Sequence, residues 1–344
     1  MEGQSGRIRS EHPDATSLIA SPSPSNDRRV QNTNDEANVS KASAANLEYY
    51  EDAFVRHFTT TKRARRSPLI NRGYFIRIAA LRSLLRRLVK ASVASNAGGL
   101  QIISLGAGYD TTPFQLASEG AFDGAGIRYV EVDFPELTQR KADVIRSHAC
   151  FGDVLASKNF AMAVVAEDDA PRLPPGSNAY ALLGHDLRDL DGLEACLVNG
   201  CGVHLDVPTV LFTECVLNYV PTDAVDRLLV WLRERFPNAI FVSYDQQGPL
   251  GDGFGQAMMG ALGARGSPLL SLPMHASRPA VVARYIRCGW EDARAVSMAE
   301  QYYLNLDPAL RARVEALEVF DEWEDWHVMS AHYCLSWAFS PIKR

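Results

Sequence analysis

The sequence of 344 residues predicts an α/β fold in which a mostly parallel sheet is covered by helices on both faces. Three observations predict it. Short apolar runs of strand length recur along the chain, helix-length segments separate them, and the first run passes straight into a glycine turn that opens a helix. A chain of this length can bury a large core, so its ordered part is expected to be one elaborated domain with a lid.

Residues 1–40 are rich in Ser, Asn, Asp, Arg and Pro, with SPSPS at 21–25, and are expected to be a disordered tail because they hold too few apolar side chains to offset ordering entropy. The domain then runs over 41–344, opening with helices in 41–95. Ile78, Leu81, Leu84, Leu85 and Leu88 recur at helical spacing with arginines mostly between them, which predicts an amphipathic helix. Strands are expected at 101–105, 128–133, 179–183, 208–213 and 239–244. The Gly- and Met-rich stretch 248–277 is expected to be a mobile excursion serving as part of the lid. Asp307-Pro308 predicts a helix start followed by a long acidic helix with Leu310, Val314, Leu317 and Phe320 on one buried face. The segment 332–339 closes the chain as a last strand, able to insert antiparallel.

Composition excludes several classes. A formal net charge of −6 argues against whole-protein attraction to nucleic acid or to an anionic membrane. The six cysteines form no CxxC pair and lack zinc spacing, so they read as reduced structural residues with no metal site, and with no signal or membrane-spanning segment a cytoplasmic enzyme is expected. The basic run at 62–66 is expected to be solvated, and the rings of Trp323 and Trp326 to pack in the core.

The sharpest motif is SLGAGYDT at 104–111, in which Gly106-Ala107-Gly108 lets backbone approach a ligand closely. A dinucleotide fingerprint would place a third glycine where Thr111 stands, so the turn suits a nucleoside better than a diphosphate and argues against a nicotinamide oxidoreductase. Asp133 ends the second strand where Rossmann-like sites place an acid for ribose hydroxyls. Asp186-Leu187-Arg188, Thr213-Glu214-Cys215 and the stretch 41–72 are expected to converge on the same strand ends, although on pattern alone Asp186 could equally cap a helix and Glu214 be an ordinary satisfied carboxylate.

The wording and order of these segments resemble the leucine carboxyl methyltransferase family. The likeness is carried by NDEA at 34–37, Lys41, SPLINRGYF at 67–75, SLGAGYDTTPF at 104–114, EVDFPE at 131–136 and HDLRDL at 185–190. It continues in PTVLFTECVLNY at 208–219, DGFGQAM at 252–258, LEVFDEWE at 317–324 and HYCLSWA at 332–338. The resemblance implies a class I S-adenosylmethionine-dependent methyltransferase with a seven-stranded Rossmann-like sheet and added helices over the cofactor. It further implies that Arg72 and Lys41 contact the methionine part of the cofactor near the substrate carboxylate, with Tyr219 beside them. Gly106 would line the turn, Asp133 hold the ribose, Asp186 and Leu187 frame the adenine, and Glu214 reach the methionine amino end. The implied partner is the catalytic subunit of a type 2A protein phosphatase, methylated on its C-terminal leucine, with S-adenosylhomocysteine as product.

Such chemistry asks little of side chains, because a C-terminal carboxylate with a pKa near 3.3–3.7 is already the nucleophile at neutral pH. A small-molecule carboxyl or hydroxyl methyltransferase would differ in its lid, and a non-catalytic binding module would have no need of Arg72, Glu214 and Tyr219 together. A tRNA wybutosine-type relative would carry a repeat domain, and no such repeat occurs in these residues.

Overall fold

The computed structural model describes residues 24–59, 65–95, 98–165 and 178–340. Helices α1 (Pro24–Asn46) and α2 (Pro68–Ala94) precede β1 (Leu100–Leu105), α3 (Thr112–Ser118), β2 (Ile127–Asp133), α4 (Pro135–Ser147), α5 (Ala149–Ser157) and β3 (Ala161–Val165). There follow β4 (Ala179–Gly184), α6 (Leu190–Ala195), β5 (Thr209–Glu214), α7 (Thr222–Arg235), β6 (Ala239–Gln246), α8 (Gly253–Ala264) and α9 (Arg278–Arg287). The chain ends with β7 (Asp292–Ser297), the single turn α10 (Met298–Glu300), α11 (Pro308–Glu315), α12 (Trp323–Ala331) and β8 (Tyr333–Phe339).

The strands form one eight-stranded sheet in the order β3-β4-β2-β1-β5-β6-β8-β7. Its first six strands run parallel, while β8 enters antiparallel between β6 and β7. Side chains along the central strands alternate between two cores: Ile102, Tyr129 and Tyr180 pack on one face, Ile103, Val130 and Ala181 on the other. Both faces are dry, which is why these strands read as continuous apolar runs. Two strands were not located in the sequence. β3 adds an eighth strand at one edge, and β7 at the other edge carries Arg294 and three positions that are exposed or half-buried, so its pattern is weak.

Three expectations change. Residues 24–40 belong to α1 rather than to a disordered tail, and residues 1–23 lie outside the described residues. The helix has no apolar stripe of its own. Tertiary contact holds it, with Asn38, Ser40, Lys41, Ala42, Ser43 and Ala44 all buried. The excursion 248–277 carries α8, capped by Asp252, which accepts the Gly255 N–H at 2.7 Å. The long acidic helix is broken: α11 starts as expected, with Asp307 accepting the Leu310 N–H at 2.9 Å, but the chain leaves the helix after Glu315 and resumes at Trp323. The break carries Phe320 onto the guanidinium of Arg72.

On α2, Ile78, Leu81 and Leu85 are buried as the periodicity requires, but Arg82 is buried too. Its guanidinium meets Asp52 at 2.6 Å, Thr111 at 3.3 Å and the Glu51 carbonyl at 3.1 Å, tying α2 to the segment after the glycine turn. Of the basic run, residues 62–64 lie outside the described residues; Arg65 pairs with Glu318 at 2.7 Å.

Candidate active site

A cavity of about 520 Å³ lies outside the carboxyl ends of β1, β2, β4 and β5, roofed by α1 and by Leu262, Arg265 and Ser267 at the end of α8. Its size and position suit one small-molecule ligand at the switch point of an open α/β sheet. Gly106, Asp133, Asp186, Leu187, Glu214, Tyr219 and Lys41 all line it.

The glycine turn is shaped by its backbone. Gly106 has φ +72° and Gly108 φ +53°, a region that side chains disfavour, and a Cβ on Gly106 would fall 2.5 Å from Val216. The N–H groups of Gly106 and Ala107 donate to the Val132 carbonyl at 2.8 and 3.1 Å, which locks the turn to β2. Asp133 then accepts the Gly108 N–H on one oxygen and the Phe134 N–H on the other, each at 2.7 Å. Burial pushes its carboxyl above the ordinary value, against the pull of those two donors. A carboxylate has about four lone-pair sites, so acceptors remain for ligand hydroxyls.

Asp186 follows β4 and is gripped by Arg188 at 2.9 Å through Nε. Burial would raise its carboxyl, but these hydrogen bonds hold it below the usual range. Arg188 reaches across to Asp27 of α1 at 2.7 Å, the first of three ties that seat the roof. Asn34 accepts the Tyr109 N–H at 2.9 Å, and Glu36 pairs with Arg265 at 2.6 Å.

At the end of β5 lies Glu214, the point where two cations converge. Lys41 from α1 stands 3.1 Å from it and Arg77 from α2 donates to it through Nε. Burial would raise the Glu214 carboxyl, yet Arg77 first and Lys41 second hold it down to about 2. Two basic side chains share the Glu214 carboxylate, and the buried carboxyl of Asp245 also faces Arg77. Tyr74, Tyr219 and Tyr333 line the cavity around it, and burial keeps the phenols of Tyr219 and Tyr333 protonated well beyond neutral pH. The next residue, Cys215, sits at φ +56°, a strained backbone of the kind that collects at functional sites.

Arg72 does not belong to this cavity. It is 1% exposed, with its guanidinium 3.7 Å from the ring centre of Phe320, 5.0 Å from Trp323 and 5.8 Å from both Tyr302 and Trp326. Arg72 and Arg77 are five positions apart, about 140° around an α-helix, which sets them on different sides of α2, and Nε and Nη1 of Arg72 are buried without a hydrogen-bond partner. Tyr74 and Arg77, three apart, share the cavity side, and Arg77 is a lining residue that the sequence reading did not single out. The available signal was the demand of Glu214 for a cation on that helix face. Trp326 packs in the core as expected, whereas Trp323 is 39% exposed. Among the described residues no cluster of His, Cys, Asp and Glu could hold a metal, and no helix is long and apolar enough to cross a membrane.

The cavity fits a nucleoside with a zwitterionic tail. Asp133 offers acceptors for sugar hydroxyls, Glu214 an anion for an ammonium, and Arg77 with Lys41 cations for a carboxylate. Four polar atoms of residues lining it, Nδ2 of Asn34, Oδ2 of Asp110, Nδ1 of His185 and Oγ of Ser267, are buried without a partner.

Comparison with known proteins agrees. A family model described as leucine carboxyl methyltransferase matches residues 25–233. The leucine carboxyl methyltransferase 1 homolog of Arabidopsis thaliana is 39% identical over 91% of this chain and 90% of its own length. The human tRNA wybutosine-synthesizing protein 4 is 38% identical over 88% of this chain but only 43% of its own length. In fold, the chain resembles a candidate methyltransferase of known structure from Thermobifida fusca, with a TM-score of 0.51 at 16% identity over 88% of this chain and 94% of that one.

Proposed function

This chain belongs to the leucine carboxyl methyltransferase family, and we propose that it methylates the α-carboxylate of the C-terminal leucine of a type 2A protein phosphatase catalytic subunit, using S-adenosylmethionine. The observation that carries the reading is the convergence of two basic side chains, Lys41 and Arg77, on the carboxylate of Glu214 beside Tyr74, Tyr219 and Tyr333 in the lining of the cavity. A carboxylate substrate is drawn to such basic side chains, and a neutral hydroxyl is not.

Bound S-adenosylmethionine supplies an electrophilic methyl group. Asp133 holds the ribose hydroxyls, Gly106 gives the room for close approach, and Asp186 with Leu187 frames the adenine. Glu214 takes the ammonium of the methionine end. Arg77 and Lys41 orient the two carboxylates, that of the cofactor and that of the substrate, and reduce their repulsion. Tyr219, neutral at working pH, can donate a hydrogen bond to the same carboxylate group. No side chain has to remove a proton, because the substrate carboxylate is ionised already. Alignment and exclusion of water under α1 and α8 then lower the barrier, by an amount that effective molarity sets at roughly 7–11 kcal/mol for well-oriented groups.

The test is transfer of labelled methyl to a phosphatase core enzyme and to the same enzyme with an amidated C-terminus. Methylation of the first alone is expected. Equal labelling of both would place the acceptor elsewhere, and labelling of tRNA instead would assign the chain to the chemistry of its second relative.

A further inference from the structure

Asn34 of α1 sits where the roof meets the glycine turn. Its Oδ1 accepts the Tyr109 N–H at 2.9 Å, one residue beyond the Gly108 N–H that Asp133 accepts at 2.7 Å. Roof and strand thus grip two consecutive N–H groups from opposite sides. The fit is close: a Cβ on Gly108 would lie 2.4 Å from Oδ1 of Asn34, so the glycine provides the notch into which this carboxamide enters.

Because the Tyr109 N–H requires an acceptor, it fixes which end of the carboxamide faces the turn. The other end, Nδ2, is then a donor. It is buried, it belongs to a residue lining the cavity, and it has no partner. A buried amide donor without an acceptor costs free energy, and here an oxygen of the ligand is the natural acceptor. The chemistry is complementary: Asp133 can only accept, Nδ2 of Asn34 can only donate, and a sugar hydroxyl does both.

We propose that Asn34 is a cofactor-binding residue contributed by the roof, donating through Nδ2 to a sugar oxygen of the nucleoside while its Oδ1 holds the glycine turn, so that occupancy of the site and closure of α1 are coupled. This rests on the reading of the cavity as a nucleoside cofactor site. The same residue would report the cofactor to the roof, since it loses its ligand contact whenever α1 lifts.

The experiment is calorimetric titration of the full chain with S-adenosylhomocysteine and with 5′-methylthioadenosine, which keeps the sugar and lacks the amino-acid end. Asn34→Asp keeps an acceptor for Tyr109 and removes the donor; Asn34→Ala removes both. Both variants are expected to bind both ligands about 5- to 30-fold more weakly, with the apo melting temperature near wild type for Asn34→Asp and lower for Asn34→Ala, which leaves the Tyr109 N–H without its acceptor. Hydrogen exchange over 27–41 is expected to slow on ligand binding in wild type and much less in Asn34→Asp. Affinity within twofold of wild type for both variants overturns the proposal. A loss seen with S-adenosylhomocysteine but not with the thioadenosine also overturns it, because it places the contact away from the sugar. Failure of the wild-type chain to bind either ligand defeats the nucleoside reading itself, an outcome distinct from both.

Discussion

The guanidinium of Arg72 lies 3.7 Å from the ring centre of Phe320, inside a box completed by Tyr302, Trp323 and Trp326. A desolvated cation among aromatic faces contributes about 2 kcal/mol or more, in addition to the packing of its stem. Arg72→Ala is therefore expected to lower the melting temperature by roughly 4 °C or more while leaving S-adenosylhomocysteine affinity within about threefold. Arg72→Lys will not restore stability, since the planar stack is lost. An unchanged melting temperature with a large loss of affinity would return Arg72 to the cofactor site.

Arg77 carries the opposite expectation. It lines the cavity and donates to Glu214, so Arg77→Ala removes a charged partner worth roughly 1.5–3 kcal/mol, a 10- to 100-fold loss of single-turnover methyl transfer. Near-wild-type turnover would remove it from the mechanism.

The ion cluster also sets an acid limit. Glu214 titrates at about 2 in the fold against an ordinary 4.5, so its contribution to stability is fully present above about pH 4.5 and is lost as pH falls toward 2. The total is roughly 3 kcal/mol. Denaturant midpoints measured from pH 5 to pH 2.5 should fall more steeply for wild type than for Glu214→Gln, which begins lower at neutral pH because two cations lose their partner. Parallel slopes would mean that other carboxylates govern acid unfolding.

Asp133→Ala is expected to weaken S-adenosylhomocysteine binding by roughly 1.5–3 kcal/mol, the scale of hydrogen bonds to a charged group. The Gly108 and Phe134 N–H groups lose their acceptor at the same time, so the turn will loosen. Calorimetry on the variant checks the affinity, and an unchanged constant would put the ribose elsewhere.

Deleting residues 1–33 removes Asp27 and the first turns of the roof, and with them the tie to Arg188. Weaker cofactor binding and faster product release are expected, measured by stopped-flow displacement of S-adenosylhomocysteine. Identical release rates would show that the tie is idle.

The central sheet was legible because its strands are buried on both faces, and apolar runs such as QIISL and PTVLFT announce that directly. The edge strand β7 was not, since one of its faces meets solvent and its pattern dissolves into ordinary polar sequence. Gly106, Asp133, Asp186 and Glu214 could be placed because strand ends in a parallel sheet converge by topology. The roof could not. α1 has no stripe to recognise, and its place depends on Asp27, Asn34 and Glu36 finding partners more than seventy residues away. The placement of Arg77 rather than Arg72 in the cavity lining has a similar origin: a motif names a segment, while the helical phase within that segment decides which side chain faces the cavity.

The insertion of β8 between β6 and β7 also makes one strand the clasp of this end of the sheet. β7 has no neighbour in the sheet except β8, and β6 keeps an open edge until β8 arrives. Without β8, an unpaired β6 edge and an orphan β7 would remain among the described strands. Substitutions that unseat Tyr333–Phe339 would therefore do more harm than the loss of one strand suggests, cutting β7 from the sheet and leaving an edge open to association with another chain.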